Sequence, residues 1–270
     1  MTKNKKFSIT IEVVPPQGPD IGKLITKLNN LKDLSFDRFS VASNPVAKPG
    51  MSAMTVCMLI REQLNKKCTL HCTTRDHNRL SLQSLLWGAK ALDLHSVLVT
   101  TGDFIALEER THTTMVRDLN VFDLIQMSRE SDLKTGVVFD AGGESKGTEF
   151  AIRRLEKKVA AGAQYVVTQP FFDALSVETL IQNLAHINIP KIIGILPLYS
   201  FKHTMFLHQQ VSGIDVPEPV RDRMASARNQ VQEGINIARD IVGLCKEKSE
   251  GVCLMPAFNH YDVLYKIMTS

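Results

Sequence analysis

Short apolar, β-branched runs alternate along this chain with longer segments of helical period. The runs suited to strands are Phe7–Val14, Arg38–Ala42, Cys68–Thr73, Ser96–Thr101, Thr135–Phe139, Tyr165–Gln169, Lys191–Leu196 and Val252–Met255. Each has the length expected of a strand. Between them, Ile21, Leu24, Ile25, Leu28 and Leu31 form a helical stripe with Asp20 as its expected N-cap. Leu175, Leu180, Ile181, Leu184 and Ile187 form another, with Ser176 placed to cap its start. Ala160-Ala161-Gly162-Ala163 closes a further helix, and Pro217–Lys248 predicts one or two additional helices before the last strand. The βα unit recurs about every 30 residues, roughly eight times, which predicts an α/β chain folded as a (β/α)8 TIM barrel. A doubly wound open sheet would carry a glycine-rich loop after its first strand, where this chain has Pro15-Pro16. Nothing in the pattern marks a linker, so residues 1–270 are expected to form one domain with residues 1–6 as a solvated tail.

The polar residues at the ends of these strands are the candidate chemistry. In a closed barrel all the carboxyl ends converge on one face. Glu12 ends the first strand and is the hardest to explain structurally, because a carboxylate in a strand costs free energy unless something there needs it. Asp103, after Gly102, ends the fourth, and Gln169 ends the sixth. A ring of Glu12, Asp103 and Gln169 would hydrogen-bond a polar heterocycle and supply one proton donor. His71, taken alone, reads as a hydrogen-bonded core histidine. Asp76 and Asn78 suit the cap of the third helix.

Composition adds mainly exclusions. Of the 270 residues, 44% are hydrophobic and 22% charged, as in ordinary globular chains. The net charge of +4 is scattered apart from MTKNKK, so no nucleic-acid surface is expected. No apolar stretch is long enough to span a bilayer, and Glu12 interrupts the apolar run near the start, so a cytoplasmic location is expected. Cys57, Cys68, Cys72, Cys245 and Cys253 are odd in number and are expected to be buried reduced thiols; no metal-ligand spacing occurs.

Longer segments resemble the methylenetetrahydrofolate reductase family, in its bacterial branch. They include EVVPPQGPD at Glu12–Asp20, NPVAKPGMSA at Asn44–Ala53, HCTTRDHNRLSLQS at His71–Ser84 and VLVTTGD at Val97–Asp103. KKVAAGAQYVVTQPFFD at Lys157–Asp173, GILPLYSFKH at Gly194–His203, EGINIA at Glu233–Ala238 and LMPAFNHYDV at Leu254–Val263 follow in order. The resemblance implies a barrel that reduces 5,10-methylenetetrahydrofolate to 5-methyltetrahydrofolate with a bound FAD, itself reduced by NADH or NADPH. It implies that Glu12 protonates N10 and that Asp103 lies near flavin and pterin. Gln169, Phe201 and His260 fall on its folate side. His71, Thr73, Thr101, Gly102, Asp103, Asn120, Asp140 and Lys158 fall on its flavin side. Homo-oligomers are common in the family.

The sequence departs from the family mainly on the flavin side. Thr101 stands where many relatives have arginine. Phe104 replaces a proline, Asp140-Ala141 replaces a pair ending in proline, Ala151 replaces an aspartate, and His260 replaces an arginine. Two alternatives therefore stay open: a flavin-free folate-binding protein or methyltransferase on the same barrel, and a reductase subunit that depends on a partner electron-transfer protein.

Overall fold

The computed structural model describes residues 7–105, 110–140, 147–211, 213–256 and 259–269. The expected tail (residues 1–6) and Ala141 lie outside this set. The chain runs β1 (Ser8–Val13), α1 (Gly22–Asn29), β2 (Arg38–Val41), α2 (Ala53–Leu64), β3 (Cys68–Thr73), α3 (Arg79–Ala91), β4 (Ser96–Thr100) and α4 (Val121–Glu130). It continues β5 (Lys134–Phe139), α5 (Thr148–Ala160), β6 (Tyr165–Pro170), α6 (Ala174–Asn183) and β7 (Lys191–Ile195). It ends α7 (Phe201–Gln210), α8 (Glu218–Ser226), α9 (Gln230–Lys248), β8 (Gly251–Leu254) and α10 (Asp262–Met268). The strands are all parallel and close in sequence order, with β1 pairing β8 through Ser8↔Gly251 and Ile11↔Leu254.

The two-residue period of a strand divides its side chains between two layers. Outward residues such as Ile11, Phe39, Leu70, Val97, Val137, Val166, Ile193 and Val252 are fully or almost fully buried under the helices. A smaller inner plug of Leu98, Val167, Ile192 and Cys253 crosses the middle of the barrel. The segment before the last strand contains two helices, α8 and α9, as expected. Two caps differ from expectation. Ile21 holds the N-cap position of α1, while the Asp20 carboxylate accepts from the Gly22 amide at 2.8 Å. Asp173, one turn earlier than expected, caps α6 by accepting both the amide and the hydroxyl of Ser176. A carboxylate accepts both bonds at once; the Ser176 hydroxyl inside the first turn serves as donor.

Helix α9 packs its Gly234, Ala238, Ile241 and Cys245 face inward. A Cβ at Gly234 would lie 1.8 Å from the Leu198 carbonyl oxygen, so the helix touches the backbone after β7 directly. Alanine normally stabilises a helix interior by about 1 kcal/mol over glycine. Here Gly234→Ala is expected to cost ~2–3 kcal/mol by overpacking and to move the loop carrying Tyr199. Urea unfolding checks it; an increase in stability would show that α9 is free to shift.

Candidate active site

Glu12 occupies an inward position on β1, level with Ser40 of β2, at the carboxyl-end mouth. Its carboxyl forms no ion pair or hydrogen bond among the described residues. Burial, and second the like charge of Asp103, raise its pKa from the ordinary 4.5 to about 7. The buried Cys253 thiol and Tyr261 phenol feel the same charge: burial first, then Glu12, push Cys253 up to about 12 and Tyr261 upward as well. The site therefore holds an acid that is about half protonated at neutrality, with no fixed cation to stabilise its anion.

Asp103 is brought to Glu12 by a scaffold absent from the expected site. Arg75, only 2% exposed, forks onto Asp76 at 2.6 and 2.8 Å. The same guanidinium donates to the Asn44 carbonyl and the Asp103 carbonyl, each at 2.9 Å. Asp76 also accepts from Thr73 Oγ1 at 3.0 Å and Asn44 Nδ2 at 3.1 Å. Burial opposes ionisation of Asp76, but these bonds from Arg75, Asn44 and Thr73 outweigh it and hold its pKa below the usual range. One planar cation thus ties together the loops after β2, β3 and β4. The Asp103 carboxylate accepts the Val46 amide at 2.5 Å, which fixes its side chain as well. Asn78 alone caps α3, through Ser81 N at 2.9 Å, leaving Asp76 to Arg75.

Across the mouth, Gln169 is half-buried on β6, two positions beyond the inner-plug residue Val167. The register with β7 shifts between Val167 and Pro170. Gly194 permits this bulge, since a Cβ there would lie 2.5 Å from the Thr168 carbonyl oxygen. The next wall is aromatic. Tyr199 lies 4.7 Å from the His260 ring and 5.6 Å from that of His203, centroid to centroid, and its hydroxyl donates to the His260 carbonyl at 3.0 Å. Phe201 opens α7 and is 37% exposed, and His260, after the next strand of the rim, is exposed as well.

The flavin-side residues divide. Thr101 and Asp103 are exposed, with Gly102 between them, and Asp140 follows β5, half-buried beside Gly213. This wall presents hydrogen-bond donors and acceptors at the carboxyl-end mouth. Other members of the set also bond within the fold. His71 shares a 2.8 Å hydrogen bond with Ser40 Oγ, and burial lowers its pKa to about 4, so it is neutral. Thr73 bonds Asp76, and Asn120 forms a capping box with Asp123 on α4. Lys158 Nζ donates to the Val138 carbonyl at 2.7 Å, so cofactor phosphates would have to draw it off that oxygen. Sequence reasoning did not single out Arg75 or Tyr261 as site residues. Arg75 is signalled only by its place beside Asp76, and Tyr261 by nothing local. Among the described residues no metal-ligating cluster occurs, and no helix is long and apolar enough to cross a membrane.

A closed parallel barrel with polar and acidic residues gathered at its carboxyl-end mouth is the frame on which barrel enzymes build their active sites. The family model described as methylenetetrahydrofolate reductase matches residues 1–268, and the chain belongs to that family. It is 23% identical over 273 residues to "5,10-methylenetetrahydrofolate reductase" of Buchnera aphidicola subsp. Schizaphis graminum, covering 98% of this chain and 91% of the relative. It is 27% identical over 157 residues to "Probable methylenetetrahydrofolate reductase (NADPH)" of Caenorhabditis elegans, covering 57% of this chain and 24% of that longer protein. Among solved structures, a Clostridium thermocellum protein described as binding two copies of 5-methyl-5,6,7,8-tetrahydrofolic acid shares the fold. The TM-score is 0.68 with 14% identity, over 98% of this chain and 94% of the other.

Proposed function

We propose that this protein reduces 5,10-methylenetetrahydrofolate to 5-methyltetrahydrofolate. Family membership supports the reaction. The observation that carries it is Glu12, poised near pKa 7 at the mouth beside Asp103. A protonated Glu12 gives its proton to N10 of the folate as the bond from N10 to the methylene carbon breaks, leaving an iminium at N5. FAD, when bound and reduced by NADH or NADPH, would supply the hydride that converts this carbon to methyl. The Glu12 carboxylate left behind lies near the Asp103 carboxylate, with no cation paired to it among the described residues, which favours taking a proton back from water. Gln169 hydrogen-bonds the pterin edge, while Phe201 and His260 flank it. Thr101, Gly102, Asp103 and Asp140 would meet the flavin ring. A general acid in such a step contributes about 10²–10⁴-fold.

The test is turnover by the FAD-supplemented protein with methylenetetrahydrofolate and NADH or NADPH under anaerobic conditions. 5-Methyltetrahydrofolate and a flavin absorption spectrum are expected. Protein that stays colourless after FAD addition and still binds 5-methyltetrahydrofolate would favour the second reading, a flavin-free folate-binding protein or methyltransferase. The engagement of Thr73, Asn120 and Lys158 within the fold is the observation that keeps this reading in play.

A further inference from the structure

The opposite end of the barrel carries a second polar cavity. It has a volume of about 300 Å³ and lies among the first residues of the strands, including Ser8, Arg38, Ser96, Lys134 and Tyr165. Branched apolar side chains ordinarily fill a barrel interior. Here hydroxyls and two cations stand below the inner plug instead. The Arg38 guanidinium makes no hydrogen bond or ion pair among the described residues. Lys134 Nζ has only the Tyr165 ring, 5.4 Å from the centroid. Burial first, and then Arg38, hold the Lys134 pKa below its usual range, so the two cations repel each other across this end. The single carboxylate on the wall, Glu250, is within ion-pair distance of neither; it accepts the Lys191 amide at 2.9 Å.

The cavity persists for a definite reason. Gly136 sits where a Cβ would lie 2.1 Å from Tyr165 Cζ, so the phenol lies flat across β5. Its hydroxyl meets Ser96 Oγ and the Val97 carbonyl, each at 3.1 Å. This leaves room beside the ring. Arg38 is half-buried and Lys134 exposed at the cavity rim, and two like charges there, with no ion-pair partner for either among the described residues, favour a ligand that supplies the negative charge. The volume suits a small molecule.

We propose that the amino-terminal end of this barrel binds a tetrahedral oxyanion, inorganic phosphate or the phosphate of a small phosphomonoester, between Arg38 and Lys134. Arg38 would fork onto two oxygens and Lys134 would add a point charge. The proposal is independent of the chemistry at the carboxyl-end mouth. The test measures binding of inorganic phosphate and of β-glycerophosphate by calorimetry, against chloride at matched ionic strength. In parallel, acetylation of Lys134 is followed by peptide mass spectrometry. Phosphate is expected to bind, to slow Lys134 acetylation severalfold, and to raise the melting temperature. Affinity should fall about tenfold or more in Arg38→Gln, with folate-site activity unchanged. Stronger binding of β-glycerophosphate would identify a phosphomonoester site; stronger binding of inorganic phosphate, a free-ion site. Lys134 acetylation that phosphate leaves unaltered would overturn the proposal. So would phosphate binding that survives in a folded Arg38→Gln, Lys134→Gln double variant. Because the acetylation assay uses the unmutated chain, misfolding of a variant leaves the proposal open to refutation.

Discussion

Glu12→Gln is expected to lower the rate of folate reduction by about 10²–10⁴-fold while leaving reduction of the flavin by NADH or NADPH within a few-fold of the parent. Rapid-mixing measurements of the two half-reactions separate these outcomes. Glutamine keeps the size of the side chain and removes its transferable proton, so the loss falls on the step that breaks the N10 bond. Equal loss of both half-reactions would contradict the assigned role. The same variant has a signature in stability. Glu12 binds its proton more tightly in the folded chain, near 7, than in the unfolded chain, near 4.5. Between those values the unfolded state holds fewer protons, and stability falls as pH rises. Glu12→Gln should therefore be more stable than the parent above neutrality, by ~2 kcal/mol after allowance for solvent at the mouth, and equal to it below about 4.5. His71 works in the opposite direction. Its pKa falls from 6.5 to about 4 on folding, so its contribution rises with pH across that window. In the parent the two slopes offset each other; Glu12→Gln should expose the histidine's.

Arg75→Met is expected to cost ~3–5 kcal/mol, more than Gly234→Ala. It leaves Asp76 buried without its bidentate partner and frees the Asn44 and Asp103 carbonyls that the guanidinium holds at 2.9 Å. Arg75→Lys keeps the charge but cannot span all three loops, so it should fall between the two. Activity should drop with stability, because Asp103 faces Glu12 only while its loop is held. Urea unfolding with activity measured on the folded fraction checks both. A Met variant of parental stability would show that the loops hold themselves.

The barrel was legible in the sequence because its strands and helices have different periods and the changes of period are marked by turns. The closing pair β1 and β8, and both helices before β8, follow that pattern. Glu12 was legible because an acid in a β-branched run has no inexpensive structural use. Its neighbours were less so. Arg75 reads locally as half of an Arg-Asp pair, and its other partners are 31 and 28 residues away in the chain. Asp20 and Ser176 are both good cap residues by type, and only backbone geometry decides that Ile21 and Asp173 hold the positions. Lys158 has the right character for a phosphate, yet a carbonyl on the adjacent strand takes its ammonium. The amino-terminal cavity was hidden because Ser8, Arg38 and Lys134 look like ordinary strand-start residues until barrel closure turns them inward.

The protonation state of Glu12 bears most directly on the catalytic reading. Carboxyl carbon shifts in protein labelled with ¹³C-glutamate, with Glu12→Gln providing the assignment, follow that single group through a pH titration. A midpoint near 7 is expected for the Glu12 resonance in the substrate-free protein. A midpoint at or below 4.5, the value of an unburied glutamate, would contradict a proton held in readiness at the mouth.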